Sequence, residues 1–248
     1  ALMTSVMDSV AKTSEYTVTC KALGIKLMPP DINAGEYGFT AIRSGDGHGV
    51  VLYGLTAIKG VGRTVVEDIV AERNERGSFK DMEDFVQRMP DSVNRKAIEG
   101  FIKVGAFDSF EGNRRQKLIL IDELLEEASV RKRSDIAGQL TLFDIASDED
   151  KQSFKHKLAD VPEFDKDELL AYEKEAAGIY LSGHPMDNYA DICNKIVTAW
   201  SKDYLPDEHT GVCRYGEGDE LISAGVVTEC KFKYTKTNKQ MAFLTIED

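Results

Sequence analysis

No apolar stretch in this sequence approaches the roughly 20 residues that a membrane-crossing helix needs, and no signal-peptide pattern opens it. No membrane partner is expected, and the chain reads as cytoplasmic. Cysteine is scarce: Cys20, Cys193, Cys213 and Cys230 stand far apart, which suggests neither a disulfide framework nor a zinc site of paired cysteines. His48, His156, His184 and His209 are equally dispersed. Positive charge is in deficit, with 31 Lys and Arg against 43 Asp and Glu and a formal net charge of -12. That long-range field repels nucleic acid and anionic membranes alike. Any binding to DNA must therefore be local.

What is present is enough apolar residue, 42% of 248, for one large domain or two to three small ones with their own cores. The chain opens at Ala1 without an initiator Met and stops just after a strand-like run, and it reads as an internal segment of something larger. Leu2 to Leu23 carries partly helical spacing, with Gly24 placed as a left-handed cap. Ile25 to Met28 reads as a short strand stopped by Pro29 and Pro30, and Tyr37 to Tyr53 as a small hairpin around Ser44 to Gly47. From Leu55 to Arg133 the pattern is almost wholly helical, broken at Gly60-Val61-Gly62, Gly77-Ser78, Pro90-Asp91, Val104-Gly105 and Gly112-Asn113. Asn113 is a good N-cap for the last helix, on which Leu118, Ile121, Leu125 and Ala128 form one stripe.

Composition changes after Arg133. Asp122 to Glu175 holds sixteen acidic residues against eight basic ones, and Ser134 to Asp167 reads as a linker. A helix resumes from Asp167 to Tyr180, and a connector runs to about Gly218. Leu221 to Tyr234 and Gln240 to Ile246 then form a β hairpin. The expected fold class is mainly α with small β parts, α+β and multidomain, around a tandem helix-hairpin-helix core.

Leu55 to Val66 places two glycines around one apolar residue between short helices. Glycine tolerates the turn and lets a phosphate approach the backbone. The N–H groups of Gly62, Arg63 and Thr64 then face that phosphate with the positive helix end behind them, and Lys59 and Arg63 add charge. Lys59, Gly60, Val61, Gly62, Arg63 and Thr64 are therefore candidate DNA-backbone contacts, which fix position without reading sequence. Arg95 to Asp108 repeats the layout in degenerate form, with Lys103 in place of the first glycine. Lys103, Gly105 and Ala106 are its candidate contacts, and Phe101, Ile102 and Phe107 are expected in a shared core.

Within the acidic linker, Gln139-Leu140-Thr141-Leu142-Phe143 has no core to join and reads as a docking peptide. Gln139 would supply hydrogen bonds while Leu142 and Phe143 enter an apolar pocket. In the β hairpin, Lys231, Lys233, Lys236 and Lys239 alternate with Phe232, Tyr234 and Phe243. That suits a single-strand-binding barrel, or else Phe232 or Phe243 belongs to a core. Asp148/Asp150 and Asp165/Asp167 have the spacing of metal ligands but lie in or beside the linker and read as solvated charge. His184 reads as a hydrogen-bonded turn residue. No catalytic residue and no metal site are assigned.

Taken in order, several segments resemble the C-terminal half of the bacterial replicative DNA polymerase III alpha subunit family. They are Leu27 to Asn33, Tyr53 to Gly62, Gly105 to Asp108, Glu173 to Glu175, Gly178 to Pro185 and Met241 to Thr245. The resemblance implies five parts: 1–52 the end of a fingers domain; 53–133 a tandem helix-hairpin-helix domain on duplex DNA; 134–166 an acidic linker; 167–217 a helical connector; 218–248 the first strands of an OB domain. It implies that Gln139, Leu140, Leu142 and Phe143 dock on a sliding clamp, a tether that raises effective concentration. The family's catalytic carboxylates lie in a palm upstream of Ala1, so this chain alone is not expected to polymerise. Mg2+ is implied for the parent only. Implied partners are primer-template duplex, the sliding clamp, other replisome subunits and, through a complete OB domain, single-stranded DNA. A repair factor with tandem hairpins and a clamp-binding adaptor are the rival readings.

Overall fold

The chain's start is helical because Ser9 caps it. Ser9 accepts a hydrogen bond from the N–H of Lys12 at 3.4 Å and opens α2 (Val10–Ala22), after the single turn of α1 (Leu2–Ser5). Gly24 follows at φ +72, the left-handed position at which glycine ends a helix without strain. The computed structural model describes residues 1–43, 49–89, 93–136, 156–207 and 210–248. They form two compact units, Ala1–Ser182 and Gly183–Asp248.

In the first unit β1 (Lys26–Met28), β2 (Thr40–Arg43) and β3 (Gly49–Leu52) make a sheet of order β1-β3-β2. The expected hairpin is the antiparallel β2–β3 pair, with Thr40 opposite Leu52. The sequence did not reveal that β1 lies parallel to β3, with Lys26 opposite Val50. The loop leaving β1 explains that pairing. Asp31 closes it by accepting from the N–H groups of Asn33 and Ala34 at 2.8 Å. Asn33 donates to the Phe79 carbonyl at 2.9 Å and accepts from its N–H at 2.8 Å, so its amide pairs with a distant turn as a strand would.

A short 3-10 turn (Leu55–Ala57) leads into α3 (Arg63–Arg76), followed by α4 (Met82–Arg88), α5 (Arg95–Lys103) and α6 (Arg114–Ile136). Side chains cap these helices: Asp81 accepts from Asp84 N–H at 2.8 Å, and Asn94 from Ala97 N–H at 2.9 Å. Asn113 and Gln116 exchange bonds, each 2.8 Å, across the start of α6. Each such cap is worth about 1 kcal/mol. The expected α6 stripe packs inward, with Ile121 fully buried and Leu118, Leu125 and Ala128 against the core.

One apolar core runs through this unit. Met3, Ile32 and Phe39 join Tyr53, Ile58, Val66, Phe85, Phe101, Phe107, Ala176 and Ile179. The sheet segment, the hairpins and the helix after the linker thus share a single interior, with no break at residue 53. Phe85 is its hub, edge-on to Phe79 and Phe107 with ring centroids 5.0 Å apart.

The described part of the acidic linker, from His156 to Asp165, is laid back on α6. Asn113 and Gln116 donate side-chain N–H groups to the carbonyls of Val161 (3.0 Å) and Ala159 (2.7 Å). Glu163 accepts from the N–H groups of Arg114 and Arg115 at 2.9 and 3.2 Å. Composition marks solvated sequence, but it could not show that open helix N–H groups elsewhere need this carboxylate. Then α7 (Lys166–Ala177) starts on a reciprocal cap between Asp165 and Glu168 and ends at Gly178, φ +79.

In the second unit a 3-10 turn (Pro185–Tyr189), α8 (Ala190–Ile196) and another 3-10 turn (Ser201–Tyr204) precede β4 (Val226–Tyr234) and β5 (Gln240–Glu247). His184 is the hydrogen-bonded turn residue expected of it: its Nδ1 accepts from Met186 N–H at 3.2 Å, and its N–H donates to Asp187 at 2.7 Å. The strands form one antiparallel ladder with an irregularity between Val227 and Glu229. Among the described residues no helix is long and apolar enough to cross a membrane.

Candidate nucleic-acid interface

The turn between Leu55 and Arg63 is shaped by one left-handed glycine. Gly60 sits at φ +83, a conformation that costs other L residues roughly 1–2 kcal/mol. Val61 tucks into the core beneath it, 7% exposed, with its N–H bonded to the Ile58 carbonyl at 3.1 Å. Gly62 is the N-cap of α3 and carries no side chain to close it. Helices α2, α4, α5, α6 and α7 each have a side-chain cap, whereas α3, like the short α1 and α8, has none. Among the described residues the N–H groups of Gly62, Arg63 and Thr64 meet no protein acceptor, and all three residues are exposed. Helix N–H groups left open with the positive dipole end behind them suit an anion.

The turn is held rigidly from behind. The N–H of Lys59 donates to the Ala176 carbonyl at the end of α7 at 2.8 Å. Tyr53 donates its hydroxyl to the Ala177 carbonyl at 3.0 Å, and burial holds that hydroxyl well above its usual range. Arg63, expected to be a mobile cation, is engaged: Nε lies 2.7 Å from Glu67 Oε1 and the guanidinium rests 4.8 Å over the Tyr37 ring. The hydrogen bond and charge of Glu67 raise its pKa above the usual arginine range.

The second hairpin is built differently. Gly105 stands at φ +81, but no helix starts until Arg114. The intervening turn is folded inward by Phe107 and Phe110, stacked at 5.5 Å. Ala106 is fully buried, its N–H bonded to Phe101 and its carbonyl accepting from Ile32 N–H, both at 2.9 Å. Gly105 is also buried, and a side chain there would meet Asp108 and the Arg114 guanidinium. Lys103 reaches Glu175 at 2.8 Å and lies 5.2 Å over the Tyr172 ring. Gly105 and Ala106 thus lie buried in this turn, and Lys103 is paired with Glu175. Phe101, Ile102 and Phe107 fill the core as expected, each with no exposed surface.

Behind this turn sits a buried ionic knot. Arg114 lies 2.7 Å from Asp108 and 3.2 Å from Glu173 and donates to the Lys103 carbonyl at 3.1 Å. Burial works against its charge, but the bonds and charges of Asp108 and Glu173 outweigh that and raise its pKa. Glu173 has no exposed surface, and its second oxygen accepts from Leu181 and Ser182 N–H at 2.8 and 2.9 Å. Sequence reading singled Glu173 out only within a motif. The missed signal was periodicity: Leu170, Glu173, Ala176 and Ala177 share the buried face of α7, so an acid occupies a core position. Asp165 and Asp167, the acid pair of metal-ligand spacing, lie at the cap and first turn of that helix.

Gln139, Leu140, Leu142 and Phe143 lie outside the described residues, as do Asp148 and Asp150. In the second unit, strand register sets Lys231 and Lys233 opposite Phe243 and Met241 on one face, and Phe232 and Tyr234 opposite Ala242 and Gln240 on the other. Lys233 lies 5.2 Å over the Phe243 ring. Phe232 and Phe243 are both exposed, at 65% and 50%. Among the described residues no group of His, Cys, Asp or Glu could hold a metal ion.

The helix-hairpin-helix motif family matches residues 24–117, which takes in the sheet as well as both hairpins. Along its whole length the chain is similar to DNA polymerase III subunit alpha of Bacillus subtilis (strain 168), 37% identical over 249 residues. It is similar likewise to the same subunit of Vibrio cholerae serotype O1, 32% over 249 residues, and of Escherichia coli (strain K12), 30% over 250. In each the alignment covers 100% of this chain and 20% of the relative. The resemblance drawn from the sequence motifs thus extends over the full chain, which spans about a fifth of the length of these curated relatives.

Proposed function

We propose that this chain, alike from end to end to a fifth of DNA polymerase III alpha subunits, is the part of such a polymerase that holds duplex DNA by its backbone and docks on a sliding clamp. The first hairpin carries the reading. Three open N–H groups at Gly62, Arg63 and Thr64, the left-handed Gly60 and the exposed Lys59 belong to one turn. Contacts of this kind hold register on the duplex and carry no sequence information. Locality reconciles them with the net charge of -12. Similarity along the whole length favours the polymerase over a repair factor or a clamp-binding adaptor.

The parent reaction would be template-directed nucleotidyl transfer assisted by two Mg2+ ions. By the resemblance, the carboxylates for that reaction would be supplied by other parts of the parent, and no chemical step is assigned here. Gln139, Leu140, Leu142 and Phe143 would form the clamp peptide, and a tethered clamp would raise the effective concentration of primer-template. The face bearing Lys231, Lys233 and Phe243 suits single-stranded DNA once its barrel is complete. Other replisome subunits are the remaining expected partners, and the cytoplasm the expected location.

The test is binding of a fluorescent duplex by anisotropy at several salt concentrations. Affinity should be weak, indifferent to sequence and steeply salt-dependent. Lys59→Glu combined with Arg63→Glu should weaken it, and unchanged affinity would reject the first hairpin as the grip.

A further inference from the structure

We infer that Lys96, the second residue of α5, is a phosphate-contacting residue of the first hairpin, so that the DNA-backbone site is assembled from both hairpins. The inference rests on the reading of that hairpin given above. A Cβ built on Gly60 would lie 3.4, 3.8 and 3.9 Å from Cε, Cδ and Cγ of Lys96. The lysine stem therefore runs along the turn, and its ammonium lies one bond beyond the atom nearest Gly60. Gly100, one helical turn further along α5 and on the same face, sets the placement: a Cβ there would lie 3.4 Å from Ile58 Cγ2 and 3.7 Å from the Lys59 carbonyl oxygen. At Gly100 α5 thus lies in van der Waals range of the turn.

The electrostatics point the same way. Arg63 is paired with Glu67, Arg95 with Glu99 at 2.9 Å and Asp122 at 3.2 Å, and Lys103 with Glu175. Among the described residues no ion pair engages Lys59 or Lys96. Both lysines are exposed, and the stem of Lys96 lies against the turn that precedes the open, positive end of α3. In an acidic chain that supplies carboxylates to Arg63, Arg95 and Lys103, these two lysines are left to water or to an anion from outside. Phosphates along a DNA strand supply it. The mobile cations of the grip are then Lys59 and Lys96, while Arg63 contributes chiefly its backbone N–H.

Anisotropy titrations of the 248-residue chain against a labelled duplex over a range of KCl test this directly. Lys96→Met keeps the apolar stem along Gly60 and removes the charge. It should weaken binding several-fold and reduce the slope of log K against log salt by about 0.9, the loss of one phosphate contact, and Lys96→Arg should restore both. Arg63→Gln should change the slope less than Lys96→Met. Wild-type affinity and slope in Lys96→Met, with Lys59→Glu still weakened, would overturn this inference and leave the hairpin reading intact. Indifference to Lys59→Glu as well, or no salt-dependent binding by the unaltered chain, would overturn both.

Discussion

The backbone N–H of Lys59 donates to the carbonyl of Ala176 at 2.8 Å, which bolts the exposed turn of the first hairpin to the last turn of α7. The second hairpin is fastened to the same helix through Lys103–Glu175 and Arg114–Glu173. One helix, reached only after the acidic linker, thus sets the relation between the two hairpins, and the first predictions concern that bracket.

Glu173→Ala should destabilise the first unit by about 3–5 kcal/mol, because it leaves Arg114 buried without one of its carboxylates. The N–H groups of Leu181 and Ser182 lose their acceptor as well. The double variant Glu173→Leu with Arg114→Met should be milder than Glu173→Ala alone, since it leaves no buried charge uncompensated and the carboxylate it unpairs, Asp108, is half-exposed. Urea unfolding followed by circular dichroism measures both, and a double variant no more stable than the single one would count against the ionic account.

Gly60→Ala and Gly105→Ala should each cost roughly 1–2 kcal/mol from the left-handed backbone alone. Gly105→Ala should cost more, because a Cβ there would lie 2.5 Å from Asp108 Oδ2 and also crowd the Arg114 guanidinium. Thermal melting ranks the two, and equal losses would mean that the Arg114 knot yields easily.

Much of this architecture is legible in the sequence. Asn113 announces its helix as a cap, Gly24 and Gly60 announce turns, and Phe101, Ile102 and Phe107 announce a core. What is not legible depends on residues far apart in the chain. Nothing local in Lys96 indicates that it lies along Gly60, and, although Glu67 stands four residues on from Arg63, nothing local in Arg63 indicates that its guanidinium rests over the Tyr37 ring. Lys103, Gly105 and Ala106 share the pattern of the first hairpin, but their accessibility was decided by Phe107 and Phe110 turning into the core. The strap of Ala159, Val161 and Glu163 on α6 was hidden because a polar, acidic composition says where a segment is soluble and not what it bonds to.

In the second unit, the carboxylate of Asp203 accepts from the N–H of Trp200 at 2.9 Å and pairs with Arg214 at 2.9 Å. The Trp200 bond, followed by the bond and charge of Arg214, holds its pKa below the ordinary 3.8. A depressed folded value means that the unfolded chain takes up the proton first, so the stabilisation is complete above pH 3.8 and is lost as pH falls through the lower folded value. Trp200 is the sole tryptophan of the chain, and its fluorescence followed down an acid titration should report that loss. Asp203→Asn should flatten this acid limb, and an unchanged limb would assign it to another group.

Replacing Leu142 and Phe143 by Ala should abolish retention of the chain by an immobilised sliding clamp while leaving duplex affinity unchanged. Retained clamp binding would mean that the segment is linker only.

Because Met3, Ile32 and Phe39 lie in the same interior as the hairpins and α7, the hairpin pair is not a portable cassette. Lifted out at residues 53–133 it would carry an open apolar wound on two sides, where the sheet and α7 had been. A transplant of the hairpin pair would have to carry at least Ala1–Ser182 with it, and a recombination between relatives that keeps this interior whole should find its crossover near Ser182 rather than at the border of the motif.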